Sequence, residues 1–244
     1  MLWHARALRF TVFPAKFDDV APDAWWRTVT DDEPDRVEKQ PRQGTTEIMG
    51  RYGAGQVVLR VEPSRIDWLY VPADDIYLQG LLGAFGDCLE LFVSLLLRWF
   101  DKVHLSTMHR IALGSVLRAP VDTREEGYAM LQPLLKSVQI QEGASDFFYQ
   151  INIPTQVVVD DAKQYGVNRL TKWSVAAIET VNANFAPSSP MSGVASAIDI
   201  FAQVELDINT VPAETTLIYA SDLPLLLKRL VDISVSITES GEPT

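Results

Sequence analysis

The chain has 244 residues, 47 % of them hydrophobic and 22 % charged, the make-up of a globular protein long enough to bury a core without metal or disulfide staples. Its formal net charge is −11, spread unevenly: residues 1–140 carry 16 Lys and Arg against 19 Asp and Glu, residues 141–244 only 5 against 13. Such a surface repels phosphate backbones, which argues against direct nucleic-acid binding and against anionic membranes and suits a basic protein partner.

Cys88 is the single cysteine, so no internal disulfide is expected, in keeping with a reducing compartment. The opening "MLWHARALRFTVF" lacks the apolar region and small-residue cleavage site of a signal peptide. Asp87, Glu90 and Arg98 interrupt the most apolar stretch, residues 81–100, well short of the ~18 uncharged residues a span requires. A cytoplasmic protein with no membrane association is the expectation.

Residues 6–13, aromatic and β-branched, predict a first strand. The Pro- and Asp-rich run that follows reads as a long connection with one helical turn near Trp25 and Trp26. Residues 45–50 read as a strand and "GRYGAG" (50–55) as a turn. Val57, Leu59 and Val61 then alternate, as do Ile66, Trp68 and Tyr70 beyond "EPSR", which predicts an antiparallel hairpin. Leu78, Leu82, Phe85, Leu89, Phe92, Leu96 and Trp99 recur at steps of three and four and predict a helix over 78–100.

Residues 105–120, "LSTMHRIALGSVLRAP", alternate as a strand. A helix over 122–137 follows, capped by Asp122 or Thr123 and kinked or shortened by Pro133. Strands are expected at 146–154, 169–182 and 195–209, and a C-terminal helix from about Leu223 to Ile237. On the third of these strands Ile198, Ile200, Ala202, Val204, Leu206 and Ile208 share the expected core face; Asp199, Phe201, Gln203, Glu205, Asp207 and Asn209 share the other. The pattern is α+β: a largely antiparallel, strongly twisted sheet packed around a long central helix (78–100), in one domain over 1–244 or in two sub-lobes meeting near 138–146.

Little in the chain looks catalytic. "GRYGAG" has no helix behind it to hold a phosphate, and neither HExxH nor GxSxG occurs. His104 and His109 differ by an odd number and face opposite ways on a regular strand. No catalytic residue, metal or cofactor is assigned. The candidate interaction surface is Asp199, Phe201, Glu205 and Asp207, with Trp25 and Trp26 as a second contact, since adjacent residues do not both turn fully inward. His109 shares a face with Ile111, Leu113 and Ser115 and is expected to turn toward the core. Arg110 is then expected on the acidic face, in a cross-strand salt bridge.

The helix "FGDCLELFVSLLLRWF", the strand "RIALGSVLR" with Arg110, Ile111, Leu113, Gly114 and Arg118, and the late "VELDIN" resemble a sporadically distributed family of uncharacterised bacterial proteins of about 250 residues. The strand departs from that family's usual Gly-Leu-Arg order and lacks its aromatic-Ile-Asn ending. The resemblance implies no activity; the sporadic distribution suggests a defence or toxin–antitoxin setting. The leading expectation is a non-enzymatic interaction or assembly protein that holds a protein partner or itself, as a homo-oligomer. The alternatives are a binder of a small apolar ligand, held in a cavity between curved sheet and helix, and a hydrolase or transferase using His109 with nearby acids.

Overall fold

Alternation decides most of the architecture. The computed structural model describes residues 2–17, 21–73, 80–103, 107–160, 163–182, 195–212 and 217–243. The chain opens with β1 (His4–Pro14), α1 (Pro22–Thr30), β2 (Arg36–Gln40), β3 (Thr45–Tyr52), β4 (Gly55–Glu62) and β5 (Arg65–Val71). The expected hairpin is β4–β5, in register from Gln56↔Val71 to Glu62↔Arg65, so that Leu59 faces Trp68 and Val57 faces Tyr70. A two-residue strand β6 (Gly83–Ala84) and α2 (Phe85–Lys102) follow, then β7 (Thr107–Val121) and α3 (Arg124–Leu131). The second half holds β8 (Phe148–Asn152), β9 (Thr155–Asp160), β10 (Lys163–Asn182), β11 (Ala195–Thr210), β12 (Ile218–Tyr219) and α4 (Leu223–Ser240).

Nine strands lie side by side in the order β2-β3-β4-β5-β1-β7-β11-β10-β8, all antiparallel, with β6, β9 and β12 as short side pairings. The sheet is open. α1, α2 and α4 stack on one of its faces, where their apolar side chains join Leu8, Phe10, Trp68, Leu113, Val204 and Ile208 in one core cluster. α3 packs on the same face, its Gly127 against Val175 and Val121. The helices thus form a layer along one face, rather than a single helix wrapped by the sheet. β7 and β11 pair from Ile200↔Val121 to Asn209↔Ala112, so strands on both sides of the 138–146 segment share this sheet and core.

The expected helix over 78–100 begins later, at Phe85; residues 78–79 lie outside the described set. Glycine disfavours helix, and Gly83 sits at φ 137, in the region that favours glycine, where the chain pairs with His4 and Ala5 before turning into α2. Thr123 caps α3 by accepting a hydrogen bond from Glu126 N at 3.1 Å. Pro133 cuts the expected 122–137 helix to Leu131 plus a single 3-10 turn.

The sequence predicts neither β2 nor the full length of α1, nor the short strands β6, β9 and β12. The charged run 36–40 is β2, an edge strand with both faces largely exposed, which therefore lacks an apolar alternation. α1 is wedged between sheet and α2, so Trp25 and Trp26 are both buried: Trp26 stacks on Trp68 (centroids 6.3 Å) and Trp25 tilts against Trp99 (6.0 Å). A helix covered on two flanks can sink adjacent side chains, so this pair is core rather than contact surface.

Candidate functional site

The described helices all lie on one face and leave the opposite face of the sheet uncovered by any of them, and the side chains there follow from the register. Three rows run across it. Arg60, Asp67, Thr11, Ala112, Asn209 and Asn168 align in one; Leu69, Arg9, Gly114, Asp207 and Leu170 in the next; Ala7, Val116, Glu205 and Lys172 in the third. The middle strands, β1 and β7, carry small residues here (Ala7, Thr11, Ala112, Gly114), while the flanking strands carry large ones. The result is a groove of about 410 Å³ with Ala112 and Gly114 at its floor and Phe13, Arg110, Leu69, Leu170 and Lys172 around it.

One wall is organised by Asp67. It is only 1 % exposed, yet its Oδ1 accepts from Arg9 Nε and Nη2 at 2.9 and 2.7 Å and from Thr11 Oγ1 at 2.5 Å. Arg65 Nε lies 3.0 Å from Oδ2. A buried carboxylate is tolerated when charge and hydrogen bonds replace the lost water, and this one has both.

The other wall is a chain of side-chain hydrogen bonds. Arg118 Nε donates to Gln203 Oε1 (2.8 Å), Gln203 Nε2 to Glu205 Oε1 (3.1 Å), and Lys172 Nζ reaches Glu205 Oε2 at 3.4 Å. Parallel to it runs an amide ladder: Asn152 Nδ2 donates to Asn168 Oδ1, Asn168 Nδ2 to Asn209 Oδ1, and Asn209 Nδ2 to Asp207 Oδ1, at 3.1, 3.1 and 3.0 Å. No spacing along the chain marks this ladder; only the register of β8, β10 and β11 brings Asn152, Asn168 and Asn209 into line.

The four residues expected as an interaction strip separate accordingly. Asp199 is exposed. Phe201 is buried beneath the Arg118 guanidinium, 5.2 Å from its ring centroid, so it is covered rather than presented. Glu205 and Asp207 line the groove. The expected salt bridge from Arg110 to this strip does not form; Arg118 takes the cross-strand role. Arg110 instead lies over the Phe13 ring at 5.6 Å, and its buried Nε has no hydrogen-bond partner.

His109 also departs from expectation. Between Phe13↔Arg110 and Pro14↔Met108 strand β7 advances two residues while β1 advances one, a β-bulge at His109. The inserted residue resets the alternation, so Met108 is buried in place of His109, which is exposed. Ile198, expected in the core, is 61 % exposed, because β7 ends at Val121↔Ile200 and β10 and β11 continue past it.

A second cleft of about 430 Å³ lies beside α4, lined by Lys136, Arg169, Arg229, Asp232 and Glu242. Burial there lowers the Arg169 pKa, and Arg169 Nε donates to the Ile153 carbonyl at 2.8 Å. Cys88 is buried in α2, where burial, and then Asp87, push its thiol pKa up, away from the thiolate a nucleophile needs. The space between sheet and α2 is filled by Phe10, Trp68, Tyr70, Phe92 and Trp99, all buried. Among the described residues no three His, Cys, Asp or Glu converge as a metal site, and no helix is long and apolar enough to cross a membrane.

Compared with family models, curated proteins and solved structures, the chain has no match in any of the three.

Proposed function

We propose that this chain is a non-catalytic interaction protein whose working surface is the uncovered face of its sheet. The observation that carries the reading is the division of the sheet: the described helices cover one face, and the other holds a groove bordered by cross-strand side-chain networks. Such networks fix side chains in place before a partner arrives, which lowers the entropy lost on association. A stable complex buries on the order of 1,200–2,000 Å² in total, and a face of nine adjacent strands offers room for it. The resemblance to uncharacterised bacterial proteins is in keeping with an accessory role in a bacterial system.

The test is photo-crosslinking in the native cells, with a benzophenone amino acid replacing Ser174 on the bare face, opposite Gln203 and outside the groove, or Leu97 on the solvent side of α2. The reading expects a discrete adduct, to another protein or to a second copy, from position 174 and none from 97. Adducts from 97 alone, or none from 174, overturn it.

A further inference from the structure

The groove on the bare face has an unbalanced set of charges. Three cations border it: Arg9, Arg110 and Lys172. Arg9 has its carboxylate in Asp67 and Lys172 has one in Glu205. Arg110 has none among the described residues. Its guanidinium rests on Phe13, and its Nε is buried with no acceptor. A guanidinium placed over an aromatic ring, 5.6 Å from its centroid, has already lost some of its freedom, and its fork of donors matches a carboxylate.

The floor next to it is apolar and recessed. Ala112 and Gly114 provide it, and Val116 continues it along β7. A Cβ built on Gly114 would meet only ordinary contacts, Leu206 O at 3.6 Å and Arg9 Cβ at 3.8 Å. No backbone constraint on φ requires glycine there. The missing side chain therefore leaves room in the groove rather than relieving a clash.

We propose that the groove docks a segment of a protein partner in which one carboxylate side chain, flanked by small apolar residues, pairs with Arg110 while its neighbours rest on the Ala112–Gly114–Val116 floor. This inference rests on the bare-face reading above and names what that face recognises. The chain's net charge of −11 sets the rest of the partner's chemistry. It repels a polyanion at long range, so the segment is a lone acid on a neutral or basic protein, and Glu205 and Asp207 at the rim favour the basic case.

The experiment uses the full chain and three probes: a capped Ala-Val-Glu-Val-Ala pentapeptide, its Gln counterpart, and butyrate. Binding is followed through the arginine Nε–Hε signals in ¹⁵N–¹H spectra, with the Arg110 signal assigned from Arg110→Lys. The Glu peptide should shift that signal and bind at least about tenfold tighter than the Gln peptide, the scale of one charge-assisted pair. Arg110→Gln should erase the difference between the two peptides. Gly114→Val should weaken both peptides, with the melting temperature confirming that it folds; Gly114→Ala is the smaller step if it does not.

Equal binding of the Glu and Gln peptides, or none at millimolar concentration, overturns the inference. Butyrate binding as tightly as the Glu peptide overturns the choice of a protein segment and makes the groove a small-acid site. The crosslinks from position 174 come from outside the groove and are independent of Arg110. If they persist while the peptides fail, the bare-face reading stands and the groove assignment alone falls.

Discussion

Arg9 and Asp67 meet across β1 and β5 at 2.7 Å, the arginine side chain 44 % exposed and the carboxylate only 1 %. The pair is unequal, so its two halves should fail differently. Asp67→Leu leaves Arg9 and Arg65 free to turn to water and should cost about 1–2 kcal/mol, below the 3–5 kcal/mol typical of breaking a sealed pair. Arg9→Met leaves the sealed carboxylate with Arg65 and Thr11 and should cost more, about 2–3 kcal/mol. The double variant should recover part of the loss, because no uncompensated buried charge remains. Urea unfolding of the four proteins checks this; additive losses would mean that the pair is uncoupled.

Acid should weaken the contact between α4 and β10. Burial alone would raise the Asp222 pKa, but hydrogen bonds from Lys163, Tyr165 and Ser221, with the Lys163 charge, outweigh it and hold the carboxyl below its ordinary range. The folded value therefore lies below the unfolded one, about 3.9. The stabilisation is fully present above that value and is lost as pH falls through the folded pKa. Stability measured from pH 6 down to pH 2 should drop more steeply below about pH 4 in the native chain than in Asp222→Asn. At pH 7 the variant should be about 2 kcal/mol less stable, having lost hydrogen bonds to a charged group. Parallel pH profiles for the two proteins would contradict the assignment.

Two glycines of the same sheet should respond oppositely to alanine. At Gly55 a Cβ would come within 2.4 Å of both the Val71 carbonyl and Leu82 Cδ2, and the backbone atom cannot move aside. Gly55→Ala should cost about 2–3 kcal/mol from overpacking. At Gly114 the Cβ meets nothing closer than 3.6 Å, so Gly114→Ala should be neutral or stabilising by roughly 0.5 kcal/mol, since glycine loses more freedom on folding. Thermal melts of both variants distinguish the sites.

The tryptophan cluster should behave as one unit. Trp26, Trp68, Trp99 and Trp25 touch in sequence, at 6.3, 5.7 and 6.0 Å. Trp26→Ala should cost about 3–5 kcal/mol and should also red-shift the remaining tryptophan fluorescence, because α1 loses its seat and Trp25 is wetted. An unshifted spectrum would show that α1 stays docked without it.

The hairpin β4–β5 and strand β11 were legible because an apolar residue at every second position has few other interpretations. β2 was not, because an edge strand exposed on both sides has no alternation to read. The β7 faces were legible from Ile111 onward and reversed before it, because one inserted residue at His109 flips every side chain beyond it. The groove was the least legible feature. Its floor joins Ala7 and Thr11 to Ala112 and Gly114, about a hundred residues later, and only the β1–β7 register brings them together. Glu205 and Asp207 were identified as candidates from their shared face, but the cation facing the groove without a partner, Arg110, was assigned to them as a salt bridge it does not make.

The position of β1 has a consequence for how the chain comes off the ribosome. It is the fifth of nine strands in space but the first to be made, and its two neighbours, β5 and β7, begin at Arg65 and Thr107. Leu8, Phe10 and Val12 therefore wait about sixty residues for β5 on one side and about a hundred for β7 on the other, at 5–20 residues per second. During that interval β1 to β5 can form a half-sheet, but its β1 edge stays open until β7 is made. The first strand is the clasp between an early half-sheet and a late one, and the nascent chain carries it open for several seconds before it shuts.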